Sequence, residues 1–165
     1  MSWKIPETRD ISLVIPAANE RVLICSPFIK EFGISLVEDA LPSSLGSIEL
    51  WTRMDSRAWI TGGADPEAVL DFLERHAGRR RVELYTSNML HAKFIISDES
   101  LAAVGSGNLT RGGWSDNLEI VRLVQPPEIS EVLSFVEATR PLMSATSLAE
   151  YRTFVDECQA HADEK

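Results

Sequence analysis

Two short β-rich runs, residues 90–97 and 101–105, are separated only by the polar residues Asp98-Glu99-Ser100. Runs this short, joined by a turn this tight, fold back as an antiparallel hairpin. The register is then strongly constrained, because a slip of one residue moves every side chain to the other face. In Leu90-His91-Ala92-Lys93-Phe94-Ile95-Ile96-Ser97 the alternation puts Leu90, Ala92, Phe94 and Ile96 on one face and His91 with Lys93 on the other. Folding at the turn pairs positions whose numbers sum to about 197, which sets His91 opposite Ser106-Gly107.

The remaining pattern surrounds this hairpin with further strands and helices. Residues 21–26, stopped by Pro27, and 47–53, 81–85 and 117–124 read as strands, with a short helix at 34–41. Asp65-Pro66-Glu67 opens a helix whose stripe is Val69, Leu70 and Leu73, ending near His76-Ala77-Gly78. Pro127 with Ile129, Val132, Leu133 and Val136 marks another helix, and Ser147-Leu148-Ala149-Glu150 is a capping box opening a third. The order predicts an α/β fold, a mixed β-sheet flanked by helices. At 165 residues, with no repeat or linker, a single domain spanning 1–165 is expected.

Composition restricts the function classes. The sequence has 16 Lys and Arg against 25 Asp and Glu, a net charge of -9, which argues against a surface that coats nucleic acid by its overall field, so any phosphate contact must be local. No apolar run is long enough for a membrane helix, and the N-terminal residues lack the pattern of a signal peptide; the expectation is a cytoplasmic protein without membrane contact. Cys25 and Cys158 read as core residues of a reducing compartment, without zinc spacing.

The hairpin brings an imidazole, an ammonium, the Ser106 hydroxyl and the Asn108 carboxamide to one end, with Gly105 and Gly107 letting a ligand approach the backbone. That group suits a phosphate: it offers donors for the oxygens and a nitrogen nucleophile, without the acidic cluster that hard cations require. Lys93 beside His91 also disfavours a metal, so no metal and no cofactor are expected. Asp98, seven residues from His91, lies on the order of 20 Å away at strand spacing, and its expected work is the turn. Asn117 and Glu119 share a face of the next strand, from which the carboxylate would reach the second nitrogen of His91 and fix its tautomer.

Other residues compete for roles at the site. Ser26 at the strand end would either line the mouth of the site or cap the turn before Pro27. Arg53 and Arg111, with Asn117, are candidates for substrate contact, and Arg53, Arg57, Arg79-Arg80-Arg81 and Arg111 would either track a phosphate backbone or form a solvated rim. His76, at a helix end, reads as a surface residue offsetting the dipole, and His161 falls in a fraying tail; neither is a partner for His91. Gly105-Ser106-Gly107-Asn108 lacks the Gly-Lys-Ser/Thr of a nucleotide-binding loop. Trp51, Trp59 and Trp114 read as core or dimer contacts rather than base-stacking platforms.

The ungapped series His91-x-Lys93-(x)4-Asp98-(x)6-Gly105-Ser106-x-Asn108, followed by Asn117-x-Glu119, resembles the HKD signature of the phospholipase D superfamily. Chains of this size with one motif look like its bacterial nuclease branch, in which two copies build one active site. The resemblance implies a phospholipase D-like fold and a metal-independent phosphodiesterase, a nuclease acting on nucleic acid, with DNA the expected substrate. It further implies a homodimer in which His91 is the nucleophile forming a phosphohistidine, Lys93 and Asn108 hold the phosphoryl oxygens, and Ser106 and Glu119 support the site. Two rival expectations remain: a non-catalytic DNA- or phosphate-binding module working with other subunits of a restriction or repair system, and a phospholipid phosphodiesterase.

Overall fold

In the computed structural model, which describes residues 3–5 and 7–163, four strands stack side by side at the centre of one sheet. These are β1 (Arg21–Cys25), β2 (Ser47–Thr52), β3 (Arg81–Thr86) and β4 (Phe94–Ser97). The hairpin partner β5 (Leu101–Gly105), then β6 (Val121–Val124), extend one side, and β7 (Ser144–Thr146) closes the other, in the order β6-β5-β4-β1-β2-β3-β7. β1, β2 and β3 are parallel; the other pairs are antiparallel. A mixed sheet flanked by helices is thus what forms.

Central β1 is buried from Val22 to Cys25 on both faces, which is why it reads as an unbroken apolar run. One face carries Val22, Ile24, Ile48, Leu50, Leu84, Ile95 and Ala103, under helices α1 (Thr8–Val14), α2 (Glu31–Ala40), α4 (Pro66–Ala77) and α6 (Leu148–Asp163). The opposite face carries Leu23, Cys25, Trp51, Phe94, Ile96 and Ala102 under α5 (Ile129–Thr139). A one-turn helix, α3 (Ser56–Ile60), follows β2, capped by the Asp55 carboxylate on the N–H groups of Arg57 and Ala58. The helix starts at Asp65 and Ser147 form as expected: Asp65 accepts from Ala68 N, while Ser147 and Glu150 exchange both bonds of a capping box.

Several boundaries differ from the sequence pattern. β4 begins at Phe94 rather than residue 90, so His91 and Lys93 precede the ladder, and β6 begins at Val121 rather than 117. The intervening Gly112–Asp116 forms a wide helical turn closed by Asn117 N donating to Gly112 O, 2.9 Å. His161 belongs to α6 rather than to a frayed tail, and His76 is half-buried rather than free at the surface: its ring packs on Phe72, 4.7 Å between centroids, beside Glu38. Burial, reinforced by Arg80, lowers the His76 pKa against the opposing pull of Glu38.

The turn itself is built as an αL pair, Asp98 at φ 49° and Glu99 at φ 59°, with Ser100 N bonded to Ser97 O. The hairpin pairs Phe94 with Val104 and Ser97 with Leu101. Continued outward, that register sets Lys93 beside Gly105 and His91 beside Gly107, one residue from the sum read off the sequence. Trp51 and Trp114 are buried and Trp59 is half-buried. Cys25 and Cys158 are buried free thiols.

Candidate active site

Antiparallel pairing of β1 with β4 sets Cys25 against Phe94, so the start of β4 lies at the end of the sheet where β1, β2 and β3 finish. His91 is exposed there, and Lys93 is 9% exposed. The Lys93 Nζ lies 3.3 Å from both ring nitrogens of His91 and donates to the His91 carbonyl oxygen at 2.7 Å. Burial lowers the Lys93 pKa; Glu119 pulls it back up, and Arg53 adds to the lowering.

Close backbone approaches assemble the facing wall. A Cβ on Gly105 would run into the Ile120 carbonyl oxygen, and one on Gly107 into that of Gly113, so only glycine permits β5 and its exit loop to sit this close to the neighbouring segments. Ser106 N donates to Ile120 O at 3.0 Å, and Ser106 Oγ accepts from Ile120 N at 3.1 Å while donating to Glu119 Oε2. The Asn117 Nδ2 donates to Glu119 Oε1 at 3.5 Å. Asn108 Oδ1 is buried without a hydrogen-bond partner among the described residues, a carboxamide whose polar end the chain leaves unsatisfied.

Several sequence expectations are corrected here. Glu119 makes no bond to the His91 ring; its two oxygens are engaged by Ser106 and Asn117, so it acts on the site through the Ser106 hydroxyl and through its charge near Lys93. Of the two readings of Ser26 the structure gives the turn: fully buried, it does not line a mouth but donates to Phe28 O across Pro27 at 2.8 Å and accepts from Leu109 N at 2.9 Å, tying the end of β1 to the loop after Asn108. Arg53 points inward, its Nε on Leu90 O at 2.6 Å and its guanidinium over the Phe28 ring. Arg111 is exposed, its guanidinium 4.6 Å from the Phe32 ring centre. Arg79-Arg80-Arg81 lies at the far end of β3, away from His91. Asp98 is also at the far end, where its carboxylate accepts from the N–H groups of Asn19, Glu20 and Arg21.

The sequence reading missed one feature of this end, an apolar surface beside the site. Trp3, Ile5, Leu118 and Ile120 are all exposed and line one shallow depression with Ser106 and Glu119. Leu118 and Ile120 alternate with Asn117 and Glu119, which was the available signal. Trp3 and Ile5 join them because Lys4 pairs with Val121 across the outer edge of β6.

Residues 12–135 match the family described as cardiolipin synthase, PLD-like domain. The chain belongs to this phospholipase D-like family. No curated protein matches the chain. Among solved structures, NucT from Helicobacter pylori superposes with TM-score 0.65 at 14% identity, covering 88% of this chain and 98% of its own. Nuc from Salmonella typhimurium, a phospholipase D family member, gives 0.58 at 16% identity, covering 88% and 97%. TrmBL2, an archaeal chromatin protein with a novel mode of DNA binding, gives 0.56 at 10% identity, covering 88% and 53%. These likenesses establish a phospholipase D-like fold.

Proposed function

We propose that the protein is a metal-independent phosphodiesterase, a nuclease whose active site is completed by a second copy of the chain. The observation that carries this is the exposed His91 imidazole held against the ammonium of Lys93, which lines one cavity with Gly105 and Gly107 on either side of Ser106. His91 attacks phosphorus and the bond to the leaving oxygen breaks, giving a phosphohistidine. The leaving oxygen takes a proton from the other His91 across a two-fold axis. That second imidazole then removes a proton from water, whose oxygen displaces the first histidine and releases the phosphate ester. Lys93 and the Asn108 carboxamide hold the non-bridging oxygens. Ser106 and Glu119 keep the loop in place.

The donor set fits this chemistry better than metal catalysis, since no cluster of three His, Cys, Asp or Glu exists among the described residues and an ammonium sits against the only histidine here. The apolar depression of Trp3, Ile5, Leu118 and Ile120 borders Ser106 and Glu119, which supports its use as the contact between copies. None of the described helices is long and apolar enough to cross a membrane. The match to TrmBL2, a chromatin protein, gives specific weight to one second reading, a DNA-binding domain without turnover.

The test is incubation in excess chelator with DNA, RNA, a chromogenic phosphodiester and phospholipid vesicles. Cleavage of nucleic acid, abolished by His91→Ala, is the expected result. Turnover confined to vesicles would make the protein a lipid phosphodiesterase, DNA binding without any cleavage would favour the second reading, and activity that requires added metal would refute the mechanism. Wild-type and His91→Ala chains are also denatured together and refolded at random. Activity should fall as the square of the wild-type fraction; a linear fall would mean each chain holds a complete site.

A further inference from the structure

The segment carrying His91 and Lys93 lies outside the sheet ladder, yet its successive carbonyl groups are all occupied. Leu90 O accepts from Arg53 Nε at 2.6 Å, His91 O from Lys93 Nζ at 2.7 Å, Ala92 O from Cys25 Sγ at 3.3 Å, and Lys93 O from Gly105 N at 3.2 Å. Three of these four donors are side chains. Ahead of His91 the chain turns through Leu90 N on Ser87 O, 3.1 Å, and Leu90 itself is buried, so losing the Arg53 donor there leaves a carbonyl in a largely dry setting short of a partner. Arg53 comes from the residue after β2, 37 positions away in sequence.

We propose that Arg53 is a positioning residue for His91: its guanidinium fixes the peptide preceding the nucleophile and so sets the direction of the imidazole, rather than binding substrate. The side chain is committed on three sides. Nε is spent on Leu90 O, the planar face covers the Phe28 ring at 5.1 Å, and Nη1 lies 4.0 Å from the Asp55 carboxylate, leaving the side chain 20% exposed. The rigid fork holds these directions together, which a flexible ammonium does only in part. The reaction is sensitive to such placement, because an attacking nitrogen displaced by about 1 Å loses on the order of 100-fold in rate.

The inference rests on the proposed phosphodiesterase reading, and its test separates the two. Arg53→Met, Arg53→Gln and Arg53→Lys are compared in the full chain with a chromogenic phosphodiester and with a DNA oligonucleotide over a range of salt. Gln and Lys each retain a donor for Leu90 O; only Lys retains the charge. For a positioning role, kcat falls about 10- to 100-fold in Arg53→Met and less in both Gln and Lys. KM stays within about twofold of wild type, and its salt dependence is unchanged. A risen KM with unchanged kcat, a salt slope reduced by about one, and Gln as impaired as Met with Lys intact would make Arg53 a phosphate contact and overturn the proposal. Unchanged kinetics in all three variants would overturn it as well. If Arg53→Met does not fold, the Gln and Lys pair decides between donor and charge alone. If the wild type turns over nothing, the phosphodiesterase reading fails while the placement of His91 is still read by NMR. Its ring resonance should be shifted or split in Arg53→Met and restored in Gln and Lys; an unmoved resonance in Met refutes the role.

Discussion

Asp98 is part of the residue series that resembles the HKD signature yet sits at the opposite end of β4 from His91, and replacing it by Asn separates structural from chemical importance. Its Oδ1 accepts from Glu20 N at 3.0 Å and Arg21 N at 2.7 Å, and its Oδ2 from Asn19 N and from Asn19 Nδ2 at 3.3 Å. Asn tolerates the αL backbone that Asp98 adopts, so the turn survives, but only one carbonyl oxygen remains and the new amide hydrogens meet a backbone donor. Losing one hydrogen bond to an ionised acceptor in a partly exposed setting costs about 2 kcal/mol. For a chain of this length that is a fall in Tm of about 4–8 °C. Burial raises the carboxyl pKa, but the N–H groups of Arg21, Asn19 and Glu20 outweigh it and hold it below the ordinary 3.8. The ionised form is therefore the one the fold favours. Its contribution is complete above the unfolded pKa of about 3.9 and is lost as pH falls through the lower folded value, so the gap between wild type and variant should close below about pH 4. Thermal unfolding by circular dichroism at pH 7 and at steps down to pH 3, with turnover of a chromogenic phosphodiester well below either Tm, measures both quantities. Activity should stay within about twofold of wild type. An Asp98→Asn protein that melts like wild type at pH 7 and is nonetheless inactive would refute the assignment of Asp98 to the turn.

Lys93→Met should lower kcat on the order of 100- to 1,000-fold with the fold intact by circular dichroism, the scale of losing one charge-stabilising donor in a transition state. Glu119→Gln should cost less, about tenfold, and should move the alkaline limb of the kcat profile to lower pH, because the carboxylate that raises the Lys93 pKa is gone while burial and Arg53 still lower it. Leu118, 87% exposed, lies on the surface proposed above as the contact between copies, and on that proposal Leu118→Glu should sediment as a monomer and lose activity while Tm changes by less than about 2 °C; a dimer of wild-type stability would remove this surface from the contact.

The hairpin was legible because period-two alternation, a tight polar turn and buried partners all specify the same register, and Phe94 against Val104 realises it one residue from the expected sum. The two capped helices were legible for a similar reason, since Asp65 and Ser147 announce themselves locally. Helix α1 was overlooked although Ile11, Val14 and Ile15 mark a helical stripe; its seven residues are too few for periodicity to stand out. β7 is three residues long, with Ser144 and Ala145 exposed, and has no alternation to read. At the site, residue types could be assigned from spacing, but their bonds could not. Nothing near Ser26 in sequence says that Leu109 N will cover it, or that Arg53 will spend its Nε on a carbonyl beyond β3, because both depend on where distant loops cross.

A net charge of -9 is compatible with the proposed phosphate chemistry because the charges are not paired evenly. Arg21, Arg75, Arg81, Arg122, Arg140 and Arg152 each have a carboxylate partner, respectively Glu99, Glu38, Glu83, Glu128, Glu49 and Glu74. Among the described residues Lys30, Arg57, Lys93 and Arg111 form no ion pair, and all four follow or precede strands at the end of the sheet where His91 lies. Arg79 and Arg80 also lack a carboxylate, but they precede β3 at the far end. Screening shortens the reach of exposed charge to about 8 Å at physiological salt, so a phosphate at the hairpin is governed by these near cations more than by the distant acids. For the proposed nuclease, the acids on the remaining surface then oppose a polyanion over most of the molecule, and the His91 end, with four unpaired bases among the described residues against two at the far end, is the one that favours it.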